Sequence, residues 1–354
     1  MTGKSKTPHT GKRTTSFDVA RAAGVSRSLV SAVINGTPGI GVSSETREKV
    51  LQAIKDLNYQ VDAQARAMKT GLSRCVAAFG DMTNPLFLQL LEGMQKACAE
   101  RGHHVLISGQ SADDEDRGAM LDLYRQRRID GIVTLDDTGY ESADWIARVR
   151  EAGAPYVSVE GYAGTGGVTS VLVDYRRSIR DALDYMGGSA ERYPIYLEAY
   201  HAEPGKNWAE RDRLEAYEEW CGEKGLKPIV HRFGAYDEAW MDRFLGGLAS
   251  ERGRLPPLLI NWSVSAVLIY RAAWRRGIRI GEELALMAGD NTNRSNACMT
   301  PTLGSVEIPY AEMGEEAVRL LLDPSARAGG TAADKHWLRA AIVPGDSAPR
   351  GSGG

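Results

Sequence analysis

Hydrophobic residues recur at helical spacing near the start of the chain. Val19 and Ala20 begin a short apolar face that predicts a helix, and Gly24 can end it by adopting a positive φ. Ser26 is a good N-cap for a second helix over residues 27–35. Two short helices joined by a turn around glycine are typical of a helix-turn-helix unit, whose second helix can enter the major groove of DNA.

A third helix is predicted from about residue 43, because Val50, Ile54 and Leu57 lie at helical spacing after a pair of serines. Short helices of this kind can close a small core together. The pattern therefore indicates an all-α domain in this part of the chain.

From residue 74 onward the pattern changes. Short β-branched or apolar runs such as CVAAFGD, HVLISGQ and DGIVTLDD alternate with helical segments. Strands separated by a single helix need crossover connections, which predicts parallel sheets covered on both faces. The number of such elements favours two doubly wound lobes over one sheet. Ligands in such folds bind beyond the carboxyl ends of the strands, which here means the cleft between the lobes.

Composition fits this division. The 354 residues (38.5 kDa) suggest two or three domains, and 43% apolar and 25% charged residues are typical of a globular protein. Residues 1–73 hold eleven Lys or Arg and five Asp or Glu, a net charge of +6, whereas the rest carries −9. A basic head on an acidic body indicates that one segment meets a polyanion and the other does not.

Several classes of protein are not expected. No run of about eighteen apolar residues could span a membrane. The basic N-terminal segment MTGKSKTPHTGKRTT is not followed by an apolar run, so we expect no secretory signal and a cytoplasmic location. The four cysteines lie far apart without a CxxC spacing, so neither a zinc site nor a disulfide framework is indicated, and no cofactor is expected.

The motifs of common enzymes on doubly wound sheets are missing. The sequence has no GxGxxG after a strand, no P-loop, no GxSxG elbow and no HExxH pair. His103 and His104 are adjacent on a predicted strand, so they face opposite ways and cannot both ligate one metal from it. We therefore expect a protein that is not an enzyme.

The head resembles a known family over nearly sixty residues. DVARAAGVSRSLVSAVIN, then VSSETREKV, then LNYQVDAQARAMKTG follow the pattern of the lactose-repressor (LacI) family of transcription regulators. The alternative is a small helical domain used for protein contacts. The resemblance implies DNA-binding roles for Ser26, Arg27, Ser28, Ser31, Ala32, Asn35, Thr46 and Met68.

The implied roles differ along the recognition helix. Arg27 and Ser28 occupy positions that reach base edges, and arginine suits a bidentate contact with guanine. The other polar residues of the set would hold phosphates and fix register. Ala32 and Leu29 stand where the family commonly has Arg and Thr. Ala32 either touches an apolar group such as a thymine methyl or marks a lost contact.

A hinge helix is implied after the head. Asp62 can cap it and Gly71 can end it. In the family this helix folds on the operator and inserts a leucine into the minor groove, and Met68 holds that place here. Val61 and Asp62 replace the usual Pro-Asn, which removes a stiff residue. The alternative is a plain linker in which Met68 has no role.

The body also resembles this family, which shares its fold with periplasmic sugar-binding proteins. The matching motifs are DMTNPLF, RIDGI, GIRIGEELALMAGDN and PTLGSV. The resemblance implies that the effector is bound by Phe87, Asp174, Arg213, Tyr236, Trp262 and Asp290. Arg213 offers planar donors, Asp290 offers acceptors, and Tyr236 matches an aromatic residue that stacks on the ligand. A surface charge and a packed loop aromatic are the alternatives for Arg213 and Tyr236.

Three departures bear on the effector. Trp262 and Ser263 replace the common Asn-Asp, Gly161 replaces a common Arg, and Ser178 replaces a common Gly. Trp262 would enlarge the apolar wall and shrink the pocket. The class of the ligand is therefore open.

The sequence thus predicts an all-α helix-turn-helix head joined by a hinge helix to an α/β body of two doubly wound lobes. The predicted function is a ligand-responsive, sequence-specific repressor. Its partners would be a near-palindromic double-stranded DNA operator, a small polar metabolite such as a sugar, and a second copy in a homodimer, with no membrane. The alternative is a small-molecule binding protein of the periplasmic type without a DNA role. The predicted boundaries are a basic arm (1–14), the helix-turn-helix domain (15–61), the hinge (62–73), one lobe (74–174 and 304–330), the other lobe (175–303 and 331–349) and a tail (350–354).

Overall fold

The structure, a computed structural model, describes residues 14–35, 41–60, 71–108, 114–189, 191–200, 208–250, 255–323 and 335–348. The chain divides into two compact units after Ser73. We call residues up to Ser73 the head and residues from Arg74 onward the body.

The head contains three helices, α1 (Ser16–Ala23), α2 (Arg27–Asn35) and α3 (Ser44–Asp56). Gly24 ends α1 at φ +68°, a conformation that glycine adopts without strain. The amide of Val25 then donates to the carbonyl of Ala20 at 3.0 Å, which turns the chain into α2. The helices share one buried apolar cluster formed by Val19, Ala20, Val30, Val33, Val50 and Ala53. The predicted helix-turn-helix is confirmed.

Within the described residues, the body holds two six-stranded sheets. The first consists, in spatial order, of β11 (Lys335–Leu338), β5 (Ser170–Val173), β4 (Tyr156–Val159), β3 (Gly131–Leu135), β1 (Cys75–Phe79) and β2 (His104–Ser108), all parallel. The second consists of β12 (Ala341–Val343), β10 (Gly304–Glu307), β9 (Leu286–Ala288), β8 (Leu258–Ile260), β6 (Ile195–Tyr200) and β7 (Val230–Gly234). Its strands are parallel except β12, which pairs antiparallel with β10.

Helices follow most of the strands. The first lobe carries α4 (Pro85–Glu100), α5 (Asp114–Arg125), α6 (Ala143–Ala152) and α11 (Tyr310–Leu322). The second carries α7 (Tyr175–Met186), α8 (Trp208–Glu223), α9 (Glu238–Ser250) and α10 (Ser263–Arg276). The predicted pair of doubly wound parallel lobes is confirmed.

The chain passes between the lobes three times, and two of these crossovers differ from the predicted boundaries. Residues 304–307 were expected in the first lobe, but β10 pairs with β9 of the second sheet, with Gly304 opposite Met287. Residues 335–338 were expected in the second lobe, but β11 pairs with β5, with Lys335 opposite Ser170. Strand pairing depends on distant residues, so the short patterns around these strands did not reveal it.

Two glycines join α4 and α11 at close range. A Cβ on Gly93 would overlap the carbonyl oxygen of Ala311, and a Cβ on Gly314 would overlap that of Leu90. The two helix backbones therefore touch at a point where no side chain fits. Since α11 directly follows a crossover, this contact anchors the crossover to the first lobe.

Candidate functional site

The start of α2 presents an exposed polar edge. Val30 and Val33 face inward, with 0% and 5% of their surfaces exposed, and join the head core. Arg27 and Ser28 lie on the exposed side of the same helix. An exposed Arg at the first turn of the second helix of this motif is suited to reach guanine in a major groove.

The other predicted head residues lie directly before α2, within α2 and on α3. Ser26 is exposed, and its hydroxyl accepts a hydrogen bond from the amide of Leu29 at 3.3 Å, so it caps α2. Thr46 lies in the first turn of α3, where its hydroxyl is 2.8 Å from that of Ser43. Ser31 is half-buried, and Asn35 is the last residue of α2.

Ala32 differs from its expected role. Only 5% of its surface is exposed, so its methyl group does not belong to the exposed edge of α2. Leu29, the second departure from the family pattern, is half-buried and packs against the head core. Both substitutions therefore place apolar groups toward the interior. Met68 and Asp62, predicted for the hinge, lie outside the described residues.

In the body, Arg213 of α8 lies between the two lobes. Only 1% of its surface is exposed. Its guanidinium carbon lies 4.3 Å from the ring centre of Tyr175 and 4.7 Å from that of Trp262, so the cation is held between two aromatic rings. Among the described residues, its Nε and Nη1 atoms are buried without a hydrogen-bond partner. The alternative of a surface charge does not hold.

Glu160 is a cleft residue that the sequence reasoning missed. It directly follows β4, and its carboxylate oxygen Oε1 accepts hydrogen bonds from the hydroxyls of Tyr175 at 2.8 Å and Tyr310 at 3.3 Å. Its backbone carbonyl accepts from the indole of Trp208 at 3.1 Å. Burial raises the pKa of Glu160 to about 7, and the tyrosine hydrogen bonds and the charge of Arg213 only partly oppose this effect. A polar residue at the carboxyl end of a strand was the available signal.

Asp290 and Asp174 support the backbone around the cleft. Asp290 is 2% exposed, and its carboxylate accepts from the amide of Ser263 and from the amide and hydroxyl of Thr292. Asp174 caps α7 by accepting from the amide of Arg177 at 2.9 Å. Both carboxylate oxygens of Asp290 are therefore engaged within the protein.

Two predicted ligand residues lie elsewhere. Phe87 was expected at the cleft rim, but it is fully buried in the core, with its ring against Gly80. Tyr236 was expected to stack on a ligand, but 71% of its surface is exposed and it is absent from the residues that line the cavity beside Arg213. Of the six predicted residues, the cavity brings together Arg213, Trp262 and Asp290.

The departure at Gly161 has a structural reason. A Cβ there would lie 2.7 Å from the hydroxyl of Ser158 and 2.8 Å from the Cβ of Asp136. Asp136 is buried after β3, where its carboxylate accepts from Arg117 at 2.6 Å and from Ser158 at 2.5 Å. Arg117 of α5 thus supplies a guanidinium close to a position where the family commonly has arginine.

The cleft is closed. The cavity between the lobes measures about 10 Å³, about what one water molecule needs. Side chains of the first lobe reach across it: the amide of Gln89 donates to the carbonyl of Thr292 at 2.8 Å, and Arg294 pairs with Glu92 at 2.9 Å. Sites for small molecules usually measure about 300–1,000 Å³, so an effector needs the lobes to separate.

No helix among the described residues is long and apolar enough to cross a membrane. No group of three or more His, Cys, Asp or Glu in this part of the chain is arranged to hold a metal ion.

Comparisons with known proteins agree with this architecture. Residues 17–62 match a family model described as bacterial regulatory proteins, lacI family, and residues 195–348 match a periplasmic binding protein-like domain. Catabolite control protein A of Staphylococcus aureus is 29% identical over 315 residues, and that of Priestia megaterium is 25% identical over 311. Each alignment covers 87% of this chain and 91% of the relative.

Solved structures show the same fold. A Lac repressor dimer bound to operator and an anti-inducer aligns with a TM-score of 0.73 and 21% identity, covering 96% of this chain and 100% of that one. A regulator CelR–cellobiose complex aligns with a TM-score of 0.60 and 22% identity, covering 95% and 100%. At these identities the likeness establishes the fold.

Proposed function

Because the chain belongs to the lacI family of bacterial regulatory proteins, we propose that it is a repressor that reads DNA through Arg27 and Ser28 and responds to an effector bound between its lobes. The observation that carries this proposal is the exposed edge at the start of α2, on a helix whose opposite side closes the head core. A periplasmic-type binding protein without a DNA role does not need such a head.

The proposed assembly is a homodimer. Two heads related by a two-fold axis read two halves of a near-palindromic operator. One head offers few base contacts, so the affinity of a single half-site is low. In this arrangement Ser26, Ser31, Asn35 and Thr46 hold phosphates, and Met68 acts as the minor-groove wedge.

The proposed regulation is a population shift between lobe arrangements. Two interlobe hydrogen bonds define one arrangement, with the cleft closed: Tyr175 donates to Glu160, and Gln89 donates to Thr292. An effector that binds one arrangement more tightly shifts the population toward that arrangement of the lobes. The hinge helices pass this change to the heads, and the affinity for the operator changes. Thermodynamic linkage requires that bound operator changes the affinity for effector by the same factor by which bound effector changes the affinity for operator.

We further propose that the protein is not an enzyme and that it acts in the cytoplasm. The relatives found by comparison are transcription regulators. The buried polar groups of the cleft are arranged around a cation between aromatic rings.

Selection of bound duplexes from a random pool tests the DNA-reading function. We expect enrichment of a near-palindrome by the full-length protein. Arg27→Ala should lose about 1–3 kcal/mol of specific binding and relax one base position in each half-site. Arg125→Ala, on the exposed side of α5, is the matched control because it removes the same charge from the body. A full-length protein that enriches no sequence contradicts the proposal.

Calorimetric titration tests the coupling. Effector affinity is measured for the protein alone and for its operator complex. We expect the two values to differ by the factor by which effector changes operator affinity. Identical affinities refute the coupling even when DNA binding itself is specific.

A further inference from the structure

The closed cavity between the lobes is lined by buried donors without partners. Arg213 keeps Nε and Nη1 unpaired among the described residues, and Trp262 keeps its indole Nε1 unpaired. Both residues line the same cavity. Buried polar groups in folded proteins are almost always satisfied, so unpaired donors that line one cavity mark the place where another molecule completes the hydrogen bonds.

Two aromatic faces beside Arg213 are already occupied. The guanidinium of Arg213 covers one face of Tyr175 and one face of Trp262. A sugar ring that stacked on either of these faces would have to displace the cation. The N–H donors of Arg213 and Trp262 are buried without a partner and are available to a ligand.

The acceptors of the cleft are mostly engaged. Both oxygens of Asp290 accept from Ser263 and Thr292, and Oε1 of Glu160 accepts from two tyrosines. Around the cleft, the described residues leave two buried acceptors without partners, Oε2 of Glu160 and Oδ1 of Asn291. Asn291 lines the cavity, and its amide nitrogen donates to Glu307 at 2.7 Å, which leaves Oδ1 as the end available to a ligand.

We propose that the effector is a small hydroxycarboxylate, whose carboxylate accepts hydrogen bonds from Arg213 and Trp262 and whose hydroxyl donates to Asn291. A carboxylate matches a fixed positive charge with unpaired donors, and charge-assisted hydrogen bonds are about twice as strong as neutral ones. A neutral sugar supplies hydroxyls but no charge to Arg213. This proposal rests on the proposed function in one respect, that the interlobe cleft is the effector site.

Matched pairs of small molecules test the charge and the hydroxyl separately. Gluconate and glucitol differ by the carboxylate, and malate and succinate differ by the hydroxyl. Binding to the full-length protein is measured by thermal shift and calorimetry without DNA. We expect gluconate or malate to bind at least about tenfold more tightly than its partner, about 1.4 kcal/mol. Acids that bind no better than their partners, including no binding by any, overturn the proposal.

Conservative variants locate the contact. Trp262→Phe removes the indole donor and keeps an aromatic ring, and it should weaken binding of the acid about tenfold. Trp240→Phe is the control, because that tryptophan stacks on Phe233 and Phe244 away from the cavity. Asn291→Ala should reduce the preference for malate over succinate. Equal losses in the two tryptophan variants contradict the assignment. If the binding results are as expected but the DNA selection enriches no sequence, the proposed DNA-binding function is contradicted and the proposed effector class is not.

Discussion

Glu160→Gln should change the pH dependence of the stability of the body. The wild-type carboxyl is buried, and its pKa is raised from 4.5 to about 7. Because the pKa of Glu160 is higher in the folded state than in the unfolded state, protonation of this carboxyl stabilises the folded protein. The contribution of Glu160 is therefore fully present below pH 4.5 and is lost as the pH rises to about 7. Each unit of pKa shift corresponds to about 1.4 kcal/mol, so the loss is about 3 kcal/mol.

Glutamine does not titrate, and it keeps an oxygen that can accept from Tyr175 and Tyr310. The atom that changes to an amide nitrogen replaces Oε2, which has no partner among the described residues. The free energy of unfolding of Glu160→Gln minus that of the wild type should therefore increase by about 3 kcal/mol from pH 4.5 to pH 7 and stay level above.

Urea unfolding followed by tryptophan fluorescence measures this difference. All seven tryptophans lie in the body, between Trp145 and Trp337, so the signal reports the body and not the head. Glu151→Gln, at the exposed end of α6, is the control and should leave a constant offset. Parallel pH profiles for wild type and Glu160→Gln would refute the reasoning that burial of this carboxyl dominates its ionisation.

Three other changes probe the fold and the DNA edge. Gly93→Ala should destabilise the body by about 3 kcal/mol, because the new methyl group meets the backbone of α11. Gly222→Ala in α8 is the control: its methyl group meets no atom within 4 Å, and it should stabilise the body by up to about 1 kcal/mol. Urea unfolding curves of the two variants measure this difference in stability. Val30→Ala should destabilise the head by about 2 kcal/mol, which faster amide exchange in α1–α3 would reveal against an unchanged body. Arg27→Ala should lower the specificity of operator binding and leave its salt dependence almost unchanged, because a contact to a base neutralises no phosphate charge. A large change in the salt dependence, measured by gel shift, would assign Arg27 to the DNA backbone instead.

The sequence was sufficient for the head and the general architecture of the body because the signals there are local. Ser26 caps α2 and Gly24 takes a positive φ, and each acts through neighbours a few residues away. The alternation of strands and helices likewise predicted two parallel lobes. The family resemblance added the position of Arg213, whose burial between two rings no local pattern reveals.

The remaining features depend on contacts between distant segments. Glu160 becomes a cleft residue only because Tyr310, far along the chain, returns to meet it. Tyr236 matched the family motif, but 71% of its surface is exposed and it does not line the closed cavity, which no local pattern indicates. The sheet that β10 or β11 joins depends on which strand edge is open once the sheets have formed. A strand of four residues contains no sequence signal that identifies its partner strand.

The threefold crossing of the chain has a consequence for biosynthesis. The first sheet gains its edge strand only when residues 335–338 have been made, long after β5, which it covers. A nascent chain that has left the ribosome up to α10 therefore holds one sheet with β5 uncovered and another that still lacks β9, β10 and β12. Exposed strand edges invite pairing with other chains. During translation the chain therefore exposes unpaired strand edges until β11 and β12 have been made, and chaperones have the most exposed strand edge to bind in this interval.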